Sequence, residues 1–586
     1  TFRIEDNKMI QVKKLSFDFP AKVLYKEVSF SLEMGQHCAF IGSNGSGKST
    51  LVDMIINPDK YMYDGKIIKD ESCRIGYASQ FAVRDKEQEQ TVFEYLSEKF
   101  VKNQNATVAI CEEMAVAENV EPLFEKYQAL LDEFVSMDGD NYISNIQKQL
   151  YLAGMRELEE TKLLERSCGE YKLLQIMKEM LLSQNLLVLD EPDVFLDFGN
   201  LNRLCKLING YKGTLLAITH NRYLLNHCFN KILHLEDGDI QEYDGSYSEY
   251  RCSQLKEKLK LKQQSIEEQE EIYRTEKMVD ALRIRATIVA NPTLGNAVNA
   301  KQTQLDRLLA RQIKEPFIEL REPLIEFKPV EVKDDYTVLS VTDYSVSFDD
   351  VLLENISFEL KSGEKVAIVG PNGTGKTTLI KDILKNNHPS IKIDENINYA
   401  CLSQLTDENI DETKTVFEVM ENLGFETKES ISRYLEKFCL EGDALKQKVG
   451  QLSGGEKNLL KIAMIANINA ELLILDEPTS HLDIYVQMAV EKAISEYKGA
   501  VLMISHDFYL IANCADHVLL VEDKTLKRMR TRTFRKMVYD KYFNKEYLEV
   551  DKKKQELEAK ITLAFKMDEL MKVEKLCNQL EEISSN

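Results

Sequence analysis

Two lysines close glycine-rich octets of the form G-x-x-x-x-G-K-[ST]. These are Gly42-Ser43-Asn44-Gly45-Ser46-Gly47-Lys48-Ser49 and Gly370-Pro371-Asn372-Gly373-Thr374-Gly375-Lys376-Thr377. An octet of this kind is built to hold phosphate: its glycines let backbone N–H groups crowd an anion, and Lys48 or Lys376 adds a point charge. Asn44 and Asn372 lie inside the loops, and Thr50 and Thr378 follow Ser49 and Thr377, whose hydroxyls suit Mg²⁺. Two carboxylate pairs come next in the chain, Asp190-Glu191 and Asp476-Glu477. The first acid of each pair suits Mg²⁺ held through water, and the second is placed to polarise an attacking water. His220 lies 30 residues after Asp190, and His506 lies 30 after Asp476. A neutral imidazole there contacts a γ-phosphate or is an ordinary core histidine at a strand end, and the repeated spacing favours the phosphate. Gln80 and Gln404, 32 and 28 residues beyond the loop lysines, complete each set as candidate Mg²⁺ and water sensors.

These residues need a strand, loop and helix context, and the sequence supplies it twice. Apolar runs precede both octets (Cys38 to Ile41; Val366 to Val369), both acid pairs (Leu186 to Leu189; Leu472 to Leu475) and both histidines (Leu215 to Ile218; Val501 to Ile504). Such runs predict buried parallel strands, and helical pattern follows each octet. Two α/β nucleotide-binding domains in tandem are therefore expected.

The segment Leu452-Ser453-Gly454-Gly455-Glu456 carries the chain further. With the doubled motifs it resembles the signature of tandem ATP-binding cassette proteins. The resemblance implies that Ser453, Gly454, Gly455 and Glu456 cap the ATP held by the opposite cassette's loop, in a head-to-tail sandwich within one chain. The counterpart in copy one is Arg166-Ser167-Cys168-Gly169-Glu170, also 20 residues before its acid pair. Here Ser167 and Gly169 are kept but Cys168 replaces a glycine. A side chain there hinders close approach to phosphate, so the two sites are expected to be unequal. The segments after the acids differ as well: Thr479-Ser480-His481-Leu482-Asp483 against Asp193-Val194-Phe195-Leu196-Asp197. Upstream of the loops, Phe19 and Phe348 either stack on adenine or fill the core.

Composition excludes other cassette proteins. The 586 residues carry a net charge of −22, and no apolar run approaches the roughly 20 residues that a bilayer requires. The opening Thr1-Phe2-Arg3-Ile4-Glu5-Asp6 does not have a signal-peptide pattern. Eleven cysteines without a C-x-x-C pair read as reduced thiols in a cytoplasmic protein. The halves are joined by far too short a connector for SMC-like ATPases. Two cassettes fused without a membrane partner resemble instead the soluble ABC-F family, as does the phrase from Tyr243 to Tyr250 that leads into the connector.

The expected organisation is a first cassette over 1–250, a linker over 251–333, a second cassette over 334–525, and a basic segment with a helical tail over 526–586. The linker predicts an antiparallel helical hairpin: no Gly or Pro interrupts Arg251 to Ala290, Asn291 to Gly295 breaks the pattern, and a second helix runs from about Asn296. Its tip, Ala286 to Ala300, is uncharged between Arg283, Arg285, Lys301, Arg307 and Arg311. This tip either packs on itself or probes a crowded RNA site. Cassette one also has about 38 extra residues before its signature, assigned to a helical arm over 105–138. Lys527, Arg528, Arg530, Arg532, Arg535 and Lys536 are placed after the last strand, as an RNA-binding patch or a solvated edge. Leu557, Ile561, Leu570, Leu576, Leu580 and Ile583 predict an amphipathic tail.

The resemblance to ABC-F implies an ATPase with two ATP–Mg²⁺ sites, working as a monomer. In that family the closed form enters the ribosomal exit site, touching rRNA, P-site tRNA and the large-subunit stalk region, with no membrane partner. The uncharged tip leans toward protection against antibiotics of the peptidyl-transferase centre. A housekeeping elongation factor is the alternative, and an ATPase pair of a membrane transporter is a weaker one.

Overall fold

The computed structural model describes residues 7–584 apart from 20–21, 81–88, 118, 183, 195, 289–291, 312–322, 349–350, 387, 403–409, 426, 543–544 and 568. The chain divides into two compact units, Thr1–Ser246 with Glu322–Tyr542, and Tyr247–Arg321 with Phe543–Asn586. The first unit holds both cassettes.

In cassette one a six-stranded sheet is ordered β5 (Ile75–Ala78), β6 (Leu186–Asp190), β7 (Thr214–Ile218), β3 (His37–Gly42), β8 (Lys231–Glu236), β9 (Asp239–Asp244). Its strands are parallel except for β9, which turns back on β8. All residues of β6 and β7 are buried, as helix-covered parallel strands require. A second, antiparallel sheet of β2 (Lys22–Glu33), β1 (Lys8–Phe19) and β4 (Asp64–Lys69) shares the core through Ile10, Tyr25, Phe40 and Leu51. Cassette two repeats the plan. Its large sheet is ordered β14 (Tyr399–Leu402), β15 (Leu472–Asp476), β16 (Ala500–Ile504), β12 (Lys365–Val369), β17 (His517–Glu522), β18 (Thr525–Arg530), beside a small sheet of β11 (Val351–Lys361), β10 (Thr337–Ser347) and β13 (Ile391–Ile393). The tandem α/β architecture expected from the apolar runs is the one observed.

The arm is an outgrowth of a shared helix. In cassette two, Thr415 caps the six-residue helix Val416–Glu421 through a capping box with Glu418. In cassette one, Thr91 and Glu94 form the same box, but the helix runs on for 25 residues, Val92–Val116. The helix Glu121–Ser136 packs back on it, held where Asn103 Nδ2 donates to the Leu130 carbonyl at 3.2 Å. The extension therefore starts before residue 105.

Two sequence-derived boundaries shift. The last strand of cassette two extends to Arg530, five residues beyond the expected end, so Lys527, Arg528 and Arg530 are on β18 rather than after it. Basic residues on an edge strand that, among the described residues, pairs with β17 alone leave no apolar run to read. The second linker helix begins at Pro292, not near Asn296. Proline fits a first helical turn, where its missing N–H needs no partner, so the residue that looked like a breaker is a start.

In the second unit the helix Tyr247–Ile288 spans 42 residues, about 60 Å at 1.5 Å per residue, and Pro292–Arg311 returns along it. The two meet through Ile272, Val279 and Leu305. The predicted amphipathic tail forms two helices, Lys545–Lys566 and Leu570–Ser584, and these pack on the base of the long helix. Leu557, Ile561, Val573, Cys577 and Leu580 bury Cys252 and Leu259. The tail and linker thus share one small core.

Candidate ATP sites at the cassette interface

Each phosphate loop follows a buried strand and bends through left-handed glycines, with φ of 105° at Gly47 and 88° at Gly375. Helices Lys48–Ile56 and Lys376–Lys385 start directly after them, so both lysines stand at helix N-termini. Lys48 Nζ donates to the carbonyls of Gly42 at 3.0 Å and Ser43 at 2.9 Å; Lys376 Nζ donates to Gly370 at 2.8 Å and Pro371 at 2.6 Å. Burial lowers the pKa of both ammonium groups. Loop one is braced further: the buried Tyr25 hydroxyl donates to the Gly47 carbonyl at 2.5 Å, and Ser43 Oγ donates to Glu236 at 2.8 Å. Sequence reading missed both supports, because neither belongs to a motif.

The acids stand beside the loops as expected. Asp190 is hydrogen-bonded by Ser49, and Asp476 by Thr377; burial is the main cause raising the pKa of both acids. Glu191 and Glu477 follow with φ of 43° and 50°. A non-glycine residue in this region costs on the order of 1 kcal/mol, which the buried strands above impose on it. At copy one, Gln80 Nε2 donates to Glu191 Oε2 at 2.5 Å, and Lys172 Nζ donates to the carbonyls of Gln80, at 2.9 Å, and Ser79. Burial holds the Lys172 ammonium down at about 8. Gln404 lies outside the described residues. At copy two, burial, and then the neighbouring Asp476, push Glu477 up to about 8; its Oε2 accepts from the His506 N–H at 3.3 Å.

Several buried polar atoms in these sites have no protein partner. They include both ring nitrogens of His220, Nδ1 of His506, Oδ2 of Asp476 and Oγ of Ser46. Leaving such atoms buried and unpaired costs about 1–3 kcal/mol each, so they fit a polar ligand that completes them. Burial, and then Lys48 or Lys376 nearby, lowers both histidines, His506 to about 3, so both imidazoles are neutral at ordinary pH. The hydroxyl that follows each loop lysine, with the aspartate at the end of the adjoining strand, makes a donor set that fits Mg²⁺, the hard cation that accompanies nucleotide phosphates. Phe348 is 70% exposed, which removes the core alternative and leaves its ring open to stack; the side chain of Phe19 lies outside the described residues.

The cassettes meet head to tail. Asn44 N donates to Asp483 Oδ2 at 3.0 Å, and Asn44 Nδ2 donates to the His481 carbonyl at 2.8 Å. On the other side, Asn372 N donates to Asp197 Oδ2 at 3.4 Å. Asp197 and Asp483 each lie seven residues after the first acid of their pair, a repeat that could have been read from the sequence. Ser167 and Ser453 cap the signature helices Cys168–Leu181 and Gly454–Ala466, in capping boxes with Glu170 and Glu456. A Cβ on Gly455 would lie 2.1 Å from Asn44 Nδ2, whereas one on Gly454 would meet only His481 at 3.7 Å. Before any nucleotide is considered, the second signature glycine bears the steric demand, and Cys168 replaces the more tolerant first. Arg222 of cassette one pairs with Glu491 of cassette two and lies 3.6 Å from Asp507.

Two phosphate loops, each closed by the other cassette, define a P-loop ATPase with a paired nucleotide-binding architecture. Family models described as ABC transporter match residues 25–194 with 353–480, and 233–327. The chain belongs to the ABC ATP-binding family, and within it to the ABC-F branch; it is an ATPase. It is 30% identical over 576 residues to the ATP-binding protein YdiF of Bacillus subtilis, covering 95% of this chain and 86% of that one. It is 29% identical over 525 residues to the energy-dependent translational throttle protein EttA of Escherichia coli, covering 86% and 90%. Among solved structures, the archaeal ribosome recycling factor aABCE1, in complex with ribosomal stalk protein aP1, matches with a TM-score of 0.56 at 17% identity, covering 90% of this chain and 92% of that one. That last likeness is one of fold. No helix among the described residues is long and apolar enough to cross a membrane.

Proposed function

We propose that this ATPase is an ATP-gated ribosome factor. ATP with Mg²⁺ at both loops holds the cassettes together, the closed form occupies the ribosomal exit site, and hydrolysis releases it. In this reading Asp190 with Ser49, and Asp476 with Thr377, hold Mg²⁺, which when bound neutralises charge on the transferring phosphoryl group. Gln80 and Gln404 sense the metal and the water. Glu191 and Glu477 take the proton of the attacking water, and His220 and His506 offer neutral N–H groups to the γ-phosphate. The observation that carries the proposal is the helical hairpin inserted between cassettes that meet through each other's phosphate loops. A pair of cassettes needs only a short tether to close, and a roughly 60 Å hairpin exceeds that need.

The ribosomal partners follow from the same reading: rRNA and P-site tRNA for the hairpin, and the large-subunit stalk region for the arm of cassette one. The protein acts in the cytoplasm as a monomer. The likeness to a translational throttle supports a role in elongation. A second reading, protection of the ribosome against peptidyl-transferase antibiotics, is supported by the uncharged run Ala286 to Ala300. Translation in an extract, with and without a lincosamide or pleuromutilin, separates the two. The comparison sets the intact protein against one in which residues 289–294 are a short Gly-Ser turn. Drug rescue by the intact protein alone supports protection. Altered drug-free elongation by the intact protein, without rescue, supports the elongation role. No effect of either protein in either condition contradicts the proposal.

A further inference from the structure

The segment after the acids of cassette two is fixed from both sides. Asp483 Oδ1 accepts from Tyr485 N and Val486 N, capping the helix Ile484–Glu496, while its Oδ2 and the His481 carbonyl hold Asn44 of the opposite loop. His481 itself has φ of 59°. This conformation is uncommon outside glycine, although histidine adopts it more readily than most residues, and here the contacts on both sides hold it. Its ring consequently enters the other cassette's site. Nδ1 lies 3.5 Å from Gln80 Nε2 and 3.8 Å from Glu191 Oε2. Gln80 Nε2 has two hydrogens, of which one goes to Glu191 at 2.5 Å and the other is within reach of the imidazole.

We propose that His481 is a trans-acting positioning residue: it holds the Gln80–Glu191 pair of the first site in working geometry only when cassette two has docked. The proposal rests on Glu191 as the base of that site. Gln80 is held from its own side by Lys172, through its carbonyl, so its amide is the part left to be oriented. His481 supplies that orientation from across the interface. Closure and hydrolysis at the Lys48 loop are thereby one event, since the group that aligns the base arrives with the opposing loop. At the matching place copy one carries Phe195, a ring without a hydrogen-bonding atom. At the Lys376 site the contact seen among the described residues is that of Glu477 with His506 of its own cassette. The inequality of the two sites follows from this position as well as from Cys168.

The test uses the full chain carrying Glu477→Gln, so that turnover reports the first site. Within it, His481→Ala should lower kcat at least tenfold while KM and the affinity for a fluorescent ATP analogue stay within twofold. His481→Gln, whose amide reaches similarly, should restore a large part of the rate. The fluorescent-analogue affinity also reports whether the loop still folds and binds. A kcat unchanged by His481→Ala overturns the proposal, as does a loss that appears equally in affinity or that Gln does not relieve. Glu191→Gln in the same background is measured in parallel. If that change leaves hydrolysis intact, the assignment of Glu191 as base is what fails, and this outcome is distinct from failure of His481.

Discussion

Glu191 and Glu477 occupy one chain position in two surroundings. Glu191 accepts a hydrogen bond from Gln80 and has a histidine of the other cassette 3.8 Å away; Glu477 is pushed up to about 8 by burial and by Asp476. Replacing both with Gln keeps shape and removes the proposed base, and ATP hydrolysis is expected to fall by about 10²-fold or more while nucleotide affinity survives. A phosphate-release assay beside ATP-analogue binding checks this. A pH effect on folding follows from Glu477 alone. The native state keeps a proton there that the unfolded chain releases near the ordinary carboxylate value, so stability contributed by this group is full below that value and declines as pH rises to about 8. Glu477→Gln should therefore melt above the parent by about 1–3 kcal/mol near pH 8, with the gap closing toward pH 4.5. Thermal melts of nucleotide-free protein across that range read it out. The two signature glycines should also part company. Gly455→Ala drives a Cβ into Asn44 and should weaken cassette closure without nucleotide, whereas Gly454→Cys has room and should act only once ATP is bound. Cross-linking across the interface, with and without ATP, distinguishes these outcomes. Loops, acids and histidines were legible because each belongs to a spaced motif that occurs twice. His481, Glu236, Lys172 and Tyr25 were not, because their roles arise from tertiary approach that spacing does not encode.

At the scale of elements, the buried strands were readable since β6, β7, β15 and β16 are uninterrupted apolar runs, all buried. Boundaries were less so. Pro292 reads as a stop but starts a helix, and β18 reads as a basic segment because only one of its edges is paired. The amphipathic tail was legible as helix, yet its partner was not; the structure places it on the base of the linker's long helix. Ile561 is fully buried there, so Ile561→Ala should cost about 2–4 kcal/mol in the stability of this small unit. Lys256→Ala, which breaks the exposed pair with Glu581, should cost under about 1 kcal/mol. Hydrogen exchange along the helix Tyr247–Ile288 measures both; equal effects would show that the ion pair, not the apolar seam, holds the tail.

For the whole molecule, the net charge of −22 sets the decisive constraint. A chain this acidic is repelled by RNA at long range, so association with a ribosome must come from shape and from local basic residues presented by an ATP-closed form. In the proposed function, cassette closure is the gate. Arg222 paired with buried Glu491, and both phosphate loops facing the opposite cassette, show the chain can adopt the form that ATP would hold. Co-sedimentation of the Glu191→Gln, Glu477→Gln protein with purified 70S ribosomes, at near-physiological salt and with ATP or ADP, tests the account most directly. The account predicts stable pelleting with ATP and little with ADP. Equal pelleting with both nucleotides, or none with either, would contradict it.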